Sequence, residues 1–495
     1  MPADDALLAI DQGTSSTRAM AFSGAGAALT AEQQSFAQIY PQSGWVEHDP
    51  EVIWDTVLST ARRVLQKLEE ARRPVAAIGI TNQRETTVLW DRRSGAPIHN
   101  AIVWQDRRTA ERCRQLAREH GESEIGVKTG LRLDPYFSAT KIAWILDHVP
   151  GARAAAKAGH IAFGTVDTFL IWRLSGGRLH LTDATNASRT ALYDIGKGRW
   201  DEALCEMFDV PMNVLPEVRD SAGRFGMTDL EVLGRALPIG GVAGDQQAAL
   251  VGQACFAAGD VKSTYGTGAF LVLNTARQFV PSKNRLLSTI AYQLNGEVTY
   301  ALEGSILSAG SAIQWLRDGL GLIAQASDVE ALAASVAHSG GVYLVPAFTG
   351  LGAPYWDPDA RAALMGLTRA SSRAEIARAA LDCVAYQTCD LLDAMAADGQ
   401  RPEILKVDGG MAGNNLFMQR LADLSGMQIR RPANSESTAF GAACLAGLGC
   451  GLYRSVQDIA ALGRCETCFG PDLGETERQA QIDGWRNAVR RVRSA

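Results

Sequence analysis

Two short segments with the same pattern lie in the two halves of the chain, and they constrain its fold more than any other feature. Residues 7–22 run as an apolar strand, a polar turn rich in Gly, Ser and Thr, and a second apolar stretch. Residues 261–274 repeat this order around the turn Gly266-Thr267-Gly268. Apolar strands joined by a turn of small polar residues are typical of a β-hairpin. Two such hairpins in one chain indicate a duplicated domain.

Chain length and the order of elements predict two α/β domains. The chain has 495 residues, of which 46% are apolar and 21% charged, and this is enough for at least two hydrophobic cores. Strands at residues 75–81 and 87–90 and a helix at residues 50–70 make the mixture typical of an α/β fold. We place the domains at residues 1–252 and 253–495. Because no long linker separates them, we expect a site in the cleft between them.

Glycines mark several predicted element ends near this boundary. Residues 238–244 read as a Gly-rich strand that leads to Asp245 and a helix over residues 246–258, which Gly259 ends. Later in the chain we predict a strand at 404–407, a Gly-rich loop at 408–414 with a helix to about 424, and a helix rich in small residues at 439–448.

Charge and composition exclude several classes of protein. The net charge is −6 and the isoelectric point about 5.8, without basic runs, so we expect no nucleic-acid partner. An acidic start and the lack of about 18 unbroken apolar residues predict neither a secretory signal nor a membrane span. Nine cysteines do not suggest a disulfide framework, and Cys465-x-x-Cys468 lacks a second pair of zinc ligands. We therefore expect a cytoplasmic protein.

The polar turns of the hairpins offer donors for a phosphate group. A Gly-Lys-Ser/Thr motif is absent because Gly196-Lys197 precedes another glycine, and the spaced glycines of a dinucleotide fold do not follow the first strand. Backbone N–H and hydroxyl groups between Asp11 and Arg18 can instead wrap phosphate oxygens, while the Asp11 carboxylate can hold Mg²⁺ through water. A plain turn is the alternative for either hairpin alone. Two equivalent hairpins and a third Gly-rich loop, Asp408-Gly409-Gly410, favour a nucleotide bound across the cleft.

Longer motifs occur from about residue 7 to about residue 453, and they are Asp11-Gln12-Gly13-Thr14-Ser15-Ser16-Thr17-Arg18, Gly79-Ile80-Thr81-Asn82-Gln83-Arg84-Glu85-Thr86-Thr87, Trp104-Gln105-Asp106-Arg107-Arg108, Gly244-Asp245-Gln246-Gln247-Ala248-Ala249, Gly266-Thr267-Gly268 and Asp408-Gly409-Gly410. Together they resemble the sugar and polyol kinase family with actin-like ATPase domains, and within it the members that phosphorylate glycerol. The resemblance implies an α/β fold of two ribonuclease-H-like (actin-like ATPase) domains flanking a central cleft. It also implies that both domains hold ATP with Mg²⁺ and that glycerol binds deep in the cleft.

Phosphoryl transfer to an alcohol needs a base for the hydroxyl proton, a metal ion for the phosphates and a polar clamp for the polyol. The resemblance assigns the base to Asp245, which stands between a Gly-rich strand and a helix. An N-cap aspartate is the ordinary alternative at such a position. We predict Asp245 as the general base because the preceding glycines let the backbone approach a ligand. Asp11 and Asp245 are the predicted metal ligands.

The resemblance also implies the remaining site residues. Arg84 and Glu85, an adjacent pair that would contribute little on a solvated loop, are expected to bind the glycerol hydroxyls. The other expected acceptor-side residues are Trp104, Tyr136, Asp245, Gln246 and Phe270, with core packing as the alternative for the aromatic ones. The expected nucleotide-side residues are Thr14, Ser15, Ser16, Arg18, Thr267, Gly310, Gln314, Gly410, Met411 through its amide, and Asn415.

Two alternatives share the same core. A kinase for another polyol or for a ketopentose such as xylulose would keep the phosphate motifs and change the acceptor residues. A filament protein or chaperone would use an actin-like ATPase core without a small substrate, and it would have no use for Arg84, Glu85, Trp104 and Tyr136. These four residues favour a kinase that acts on glycerol over both alternatives. We further expect a homo-oligomer, either a dimer or a tetramer.

Overall fold

A computed structural model describes residues 5–433, 435–462 and 466–494. Cys465, which belongs to the Cys-x-x-Cys pair noted above, lies outside the described residues. Within the part described, no helix is both long and apolar enough to cross a bilayer.

The N-terminal half contains strands β1 (Ala6–Gln12), β2 (Ser16–Ser23), β3 (Ala28–Ser35), β4 (Glu47–His48), β5 (Val75–Asn82), β6 (Val88–Asp91), β7 (Ala101–Ile102), β8 (Ile161–Gly164), β9 (Leu181–Asp183), β10 (Tyr193–Asp194), β11 (Arg199–Trp200), β12 (Glu217–Arg219), β13 (Ala222–Met227) and β14 (Pro238–Gly244). Its helices are α1 (Pro50–Glu70), α2 (Ala110–His120), α3 (Ser123–Thr129), α4 (Ser138–His148), α5 (Ala152–Lys157), α6 (Val166–Leu174), α7 (Ala184–Ala187), α8 (Glu202–Met207), α9 (Leu230–Leu233) and α10 (Asp245–Gly252), with a 3₁₀ turn at Met212–Val214.

The C-terminal half contains strands β15 (Val261–Tyr265), β16 (Ala269–Ala276), β17 (Leu287–Leu294), β18 (Glu297–Ile306), β19 (Tyr343–Val345), β20 (Ala363–Met365), β21 (Ile404–Asp408), β22 (Gln428–Pro432) and β23 (Glu466–Phe469). Its helices are α11 (Gly310–Asp318), α12 (Asp328–Ala334), α13 (Arg373–Ala397), α14 (Asn415–Ser425), α15 (Ser437–Gly449), α16 (Val456–Ala460) and α17 (Glu475–Val492), with a 3₁₀ turn at Gly410–Gly413.

The two halves repeat one sheet topology. The N-terminal sheet has the strand order β13-β14-β5-β1-β2-β3, in which β1, β2 and β3 are antiparallel and β5 and β14 run parallel to β1. The C-terminal sheet has the order β17-β18-β16-β15-β21-β22-β23, in which β15, β16 and β18 form the antiparallel part and β21 and β22 the parallel part. Both predicted hairpins and the duplicated α/β domain are therefore confirmed.

Each sheet is covered on both faces, as the strand alternation dictates. On β1, Leu8 and Ile10 face a core that includes α1, while Leu7 and Ala9 face a second core that includes α15. Successive side chains of a strand point to opposite faces, so one strand serves both cores. A similar division holds in the C-terminal sheet, where Val272 belongs to the same second core. The two halves thus share one apolar layer between their sheets.

Helices α10 and α15 form this shared layer and cross at glycines. A Cβ atom added at Gly441 would lie 1.8 Å from the carbonyl oxygen of Ala248, and one at Gly252 would lie 1.9 Å from that of Ser437. Helix α15 also lies against the N-terminal sheet, where a Cβ at Gly79 would lie 2.0 Å from the carbonyl oxygen of Ala442. Glycine is required at such positions because only it lets two backbones come so close.

The predicted helix over residues 246–258 is too long, because α10 ends at Gly252. The Cys255 N–H donates to the Leu250 carbonyl and the Ala254 N–H to that of Val251, which is the pattern of a Schellman motif. Ala254 occupies the left-handed position with φ 47°, where glycine is usual. Lys406 Nζ then donates to the carbonyls of Gln253 and Ala254. The helix therefore ends without the local glycine signal on which the sequence prediction depended.

A long insertion between β5 and β14 forms a further core beside the cleft. Its buried residues come from strands, helices and loops of the insertion and from Leu287 on β17, and they include Tyr136 and Phe137. Trp104 and Phe270 pack against the same cluster, although Phe270 belongs to the C-terminal sheet. This core therefore places side chains of both halves along one wall.

We expect Gly441→Ala to lower the free energy of unfolding by about 1–3 kcal/mol or more, because the new methyl group would force α15 away from α10. Urea denaturation of the purified variant measures this change. Gly470→Ala is the matched control, since a Cβ there meets no described residue within 4 Å. Equal denaturation midpoints for both variants would contradict the close crossing of the two helices.

Asp390 predicts a pH-dependent contribution to stability. Its Oδ2 accepts hydrogen bonds from Trp485 Nε1 at 2.8 Å and from the Tyr355 hydroxyl at 2.9 Å. Burial raises the pKa of Asp390 to about 7, above its unfolded value near 4. The folded state keeps a proton that the unfolded state releases between these values, so the contribution of Asp390 to stability falls as the pH rises from about 4 to about 7.

Asp390→Asn can accept both hydrogen bonds through its amide oxygen and carries no charge. We expect the stability of the variant, relative to the wild type, to increase by about 1–3 kcal/mol between pH 5 and pH 8. Urea denaturation of both proteins at the two pH values measures the difference. A difference that does not change with pH would show that Asp390 is not protonated in the folded protein.

Candidate active site

The carboxyl ends of parallel strands bring the predicted chemical groups together. Asp11 lies near the end of β1, where Gln12 pairs with Asn82 of β5. Gly244, the last residue of β14, pairs with the same Asn82. Asp11, Arg84 and Asp245 therefore lie at or just after the ends of three strands, at one edge of the sheet. Ligand sites of open α/β sheets lie at this edge.

Asp245 begins α10 but does not cap it. Gly244 is the N-cap residue, and because glycine has no side chain, no side chain of the N-cap residue accepts a hydrogen bond from the first turn. The Asp245 carboxylate accepts a hydrogen bond from the Gln246 N–H at 2.7 Å and lies 3.3 Å from Arg84 Nε. Its side chain is 30% exposed, whereas that of Arg84 is 2% exposed. Asp245 is thus an accessible carboxylate beside a buried cation, and the N-cap alternative is excluded.

Arg84 lies at the centre of a buried polar cluster rather than on a solvated loop. Its guanidinium donates to both carboxylate oxygens of Glu303. It also donates to the Tyr136 hydroxyl and to Gln247 Oε1, each at 3.4 Å. Burial opposes the charge, but the surrounding anions outweigh it and raise the pKa of Arg84, so that the side chain stays protonated. The alternative of a weak surface ion pair is therefore excluded.

Glu85 is held in an unusual backbone conformation that fixes its direction. Its φ is 59°, in the left-handed region, and its carbonyl oxygen accepts hydrogen bonds from Ser138 Oγ and Lys141 Nζ. Arg189 Nε donates to Glu85 Oε1 at 2.6 Å. Burial outweighs the neighbouring cations Arg189 and Arg84 and raises the pKa of Glu85. A strained residue at such a place is typical of a ligand-binding loop.

Three aromatic side chains form a wall next to these charges. The Trp104 ring contacts Tyr136 and Phe270 edge-on, with centroid distances of 5.7 Å and 5.9 Å. Trp104 Nε1 also donates to Thr14 Oγ1 at 3.0 Å, which links this wall to the polar turn of the first hairpin. The Arg84 guanidinium lies 5.7 Å from the Phe270 ring centre. The wall suits the carbon side of a small polar ligand.

Gln246 is fixed from the other half of the molecule. The buried Lys262 on β15 donates from Nζ to Gln246 Oε1 at 2.5 Å and to Thr264 Oγ1 at 2.9 Å. Burial lowers the pKa of Lys262 to about 8, while the carboxylates of Asp408 and Asp245 oppose this change. Asp408 is itself buried on the adjacent strand β21. This corner therefore has opposite charges on adjacent strands.

Asp11 is half-buried near the end of β1. Burial and the negative charge of Asp245 raise the pKa of Asp11 to about 7, against the influence of Arg18. Two neighbouring carboxylates can share a divalent cation. Among the described residues, no group of three His, Cys, Asp or Glu side chains could hold a metal ion by itself. An ion here would need oxygens from a ligand or from water.

Four of the predicted nucleotide-side residues come from the C-terminal half and lie near one another, namely Thr267, Gly310, Gly410 and Met411. The Gly310 N–H donates to the Gly266 carbonyl, and the Ser311 N–H donates to that of Thr267, so α11 begins against the hairpin turn. A Cβ at Gly409 would lie 2.5 Å from the Tyr265 carbonyl oxygen, which places the 3₁₀ turn with Gly410 and Met411 beside the same hairpin. The turn of the second hairpin, the start of α11 and the 3₁₀ turn therefore lie next to one another.

The other predicted nucleotide-side residues are more peripheral. Gln314 is exposed on α11, and Asn415 is exposed in the first turn of α14, where its Oδ1 accepts from Arg431 at 2.9 Å. In the first hairpin, Ser15 is exposed, and Ser16 Oγ accepts a hydrogen bond from Gln33.

Arg18 forms an ion pair with Glu436, just before α15. It thus joins the first hairpin to the C-terminal half.

Sequence reasoning missed Arg189, Glu303 and Lys262. Glu303 and Lys262 occupy buried positions of strands that are otherwise mostly apolar or small. A charged residue inside such a strand is rarely buried without a partner, and this was the signal available in the sequence. Arg189 follows the short helix α7 and had no such signal.

Comparison with known proteins identifies the class. The model of the FGGY family of carbohydrate kinases, N-terminal domain, matches residues 6–252, and the C-terminal domain model matches residues 261–450. The chain belongs to the FGGY family of carbohydrate kinases.

Among its relatives, glycerol kinase of Alcanivorax borkumensis is 59% identical over 487 residues, which cover 98% of each chain. Glycerol kinase 1 of Pseudomonas aeruginosa is 56% identical, with 99% of each chain covered. A crystal structure of Plasmodium falciparum glycerol kinase with ADP superposes with a TM-score of 0.92 at 36% identity, covering 99% of this chain and 98% of that one. Gluconate kinase of Lactobacillus acidophilus, at 20% identity and a TM-score of 0.88, shares the fold.

Proposed function

We propose that the protein phosphorylates glycerol with ATP to give sn-glycerol 3-phosphate. The observation that carries this proposal is the buried clamp of Arg84, Glu85 and Tyr136 beside the accessible carboxylate of Asp245. Full-length relatives named glycerol kinase at 56% and 59% identity support the same substrate. A small polyol needs both donors and acceptors at fixed places, and the clamp offers a guanidinium, a carboxylate and a hydroxyl.

The surroundings of each group support the following chemical roles. Asp245 is the general base, because it is accessible and can accept the proton of the attacking hydroxyl. Arg84 and Glu85 orient the hydroxyl groups, and Tyr136 completes the polar side. Trp104 and Phe270 pack on the carbon chain, while Gln246 lies beside the base. Orientation of this kind supplies much of the rate enhancement in phosphoryl transfer.

On the donor side, the hairpin turns would bind the phosphates of ATP. Thr14, Ser15, Ser16 and Arg18 come from the first turn, and Thr267 comes from the second. Gly310, Gln314, Gly410, Met411 through its amide, and Asn415 would surround the remainder of the nucleotide. The contacts of the second turn with α11 and with the Gly409 loop support this assignment.

Mg²⁺ is the proposed metal, with Asp11 and Asp245 as the protein groups that hold it. The raised pKa of Asp11 beside Asp245 supports the fit, since a divalent cation relieves the repulsion of two carboxylates. When bound, the ion neutralises the charge of the transferred phosphoryl group. The domain limits at residues 1–252 and 253–495, and a dimer or tetramer, stay predictions.

The proposed function is tested by coupled ADP release over a panel of glycerol, other polyols, xylulose and gluconate. We expect the highest kcat/KM for glycerol.

Asp245→Asn should lower kcat by about 10²–10⁴, because the amide keeps the shape and cannot accept the proton. Near-normal turnover in the folded variant would refute the role of Asp245, and preference for another acceptor would refute glycerol as the substrate.

Arg84→Lys should raise the KM for glycerol by about 10- to 100-fold, since a lysine keeps the charge beside Glu303 but loses the forked hydrogen bonds. The KM for ATP should change little, because Arg84 lies on the acceptor side. Steady-state kinetics with each substrate varied in turn separates these effects. Equal increases in both constants would place Arg84 elsewhere in the reaction.

A further inference from the structure

We infer that Glu303 and Arg189 are positioning residues of the acceptor site and hold Arg84 and Glu85 in the direction that glycerol requires. This inference rests on the proposed function. Glu303 lies on β18 of the C-terminal sheet, whereas Arg84, Glu85 and Arg189 belong to the N-terminal half. The acceptor clamp would therefore be completed by a residue from the other half of the molecule.

The four side chains form a closed ring of alternating charges. Arg84 donates to both Glu303 oxygens, and Arg189 donates from one terminal nitrogen to Glu303 Oε1 at 2.8 Å. Arg189 Nε then donates to Glu85 Oε1 at 2.6 Å, and this oxygen lies 4.0 Å from Arg84 Nε. Each carboxylate thus faces two guanidinium groups. Two positive and two negative charges balance within the ring.

The ring acts on the substrate only through Arg84 and Glu85. The side chains of Glu303 and Arg189 are 0% exposed, so neither can touch glycerol directly. Arg84 and Glu85 are 2% exposed, and the 30% exposed Asp245 adjoins Arg84. The two hidden residues therefore fix the orientation of groups that face the ligand.

Burial of the four side chains restricts the orientations that Arg84 and Glu85 can adopt. Burial raises the pKa of Glu303, but the guanidinium groups of Arg189 and Arg84 outweigh it and hold the pKa below its ordinary value. Glu303 is therefore ionised, and both guanidinium groups form charged hydrogen bonds with it. A buried ion pair tolerates little change in geometry, because a charge that moves away from its partner is not solvated by water and costs free energy. The rings of Tyr136 and Phe137 lie 5.6 Å and 5.4 Å from the Arg189 guanidinium and restrict it further.

Glu303→Gln tests this role, because glutamine has the same shape but cannot balance two guanidinium groups. We expect the KM for glycerol to rise by about 10- to 100-fold, since small misplacements of binding groups have effects of this size. The KM for ATP should stay within about twofold of the wild-type value. The stabilisation of the thermal midpoint by glycerol should also decrease, which measures binding without turnover.

Asp382→Asn is the matched control. Asp382 is likewise a buried carboxylate between two guanidinium groups, because Arg420 Nε lies 2.8 Å and Arg378 Nε 3.4 Å from its Oδ1. It lies on α13, outside the acceptor site. A loss of general stability should appear in both variants. A rise in the KM for glycerol should appear with Glu303→Gln alone.

Glu303→Asp covers the case in which Glu303→Gln does not fold. It keeps the negative charge and withdraws it by one methylene group, so we expect a folded protein with a smaller rise in the KM for glycerol. If the wild type phosphorylates glycerol and the folded variants keep its KM within about twofold, the inference is overturned and the proposed function stands. An equal rise with Asp382→Asn also overturns it. A wild type inactive on glycerol refutes the proposed function itself.

Discussion

The close crossing of α10 and α15 is the constraint on which the rest of the structure depends. Backbone meets backbone at Gly252 and Gly441, so the two helices together form a thin layer between the sheets. Interiors are packed at crystal-like density, and one extra methyl group at such a crossing displaces a whole helix. Because α10 begins at Asp245, the same crossing sets where the Asp245 carboxylate stands relative to the C-terminal half.

The proposed acceptor site depends on this spacing in a second way. Arg84 meets Glu303, and Gln246 meets Lys262, across the boundary between the halves. Buried charges of this kind are stabilising only when their partners are at hydrogen-bond distance. The apolar layer thus fixes the distance between the two halves, and the polar contacts form across that distance. The glycine packing and the geometry of the proposed active site are consequently two results of one arrangement.

Much of this arrangement could be predicted from local sequence. The hairpins around residues 11–18 and 266–268, and the Gly-rich strand before Asp245, carry strong local signals, and the structure has them where they were expected. The end of α10 could not be predicted, because Ala254 takes a conformation that usually marks glycine, and Lys406 on another strand binds the last carbonyls.

Glu303 and Arg189, the buried residues of the proposed acceptor site, could not be predicted from local sequence patterns for a different reason. Glu303 is 219 positions from Arg84 and 114 positions from Arg189. No periodicity relates residues that far apart, and only the folded chain brings them together. The motifs around Arg84 and Asp245 pointed to the groups that face the ligand, whereas the groups behind them became evident from the contacts.

The position of α15 has a consequence for how the protein is made. This helix covers one face of the N-terminal sheet, yet it begins at Ser437, long after β14 ends at Gly244. At about 5–20 residues per second, the roughly 200 residues between them take about 10–40 s to synthesise. During that time the apolar side chains of Leu7, Ala9 and Ala77 have no native cover. Completion of the first domain on the ribosome therefore waits for nearly the whole of the second.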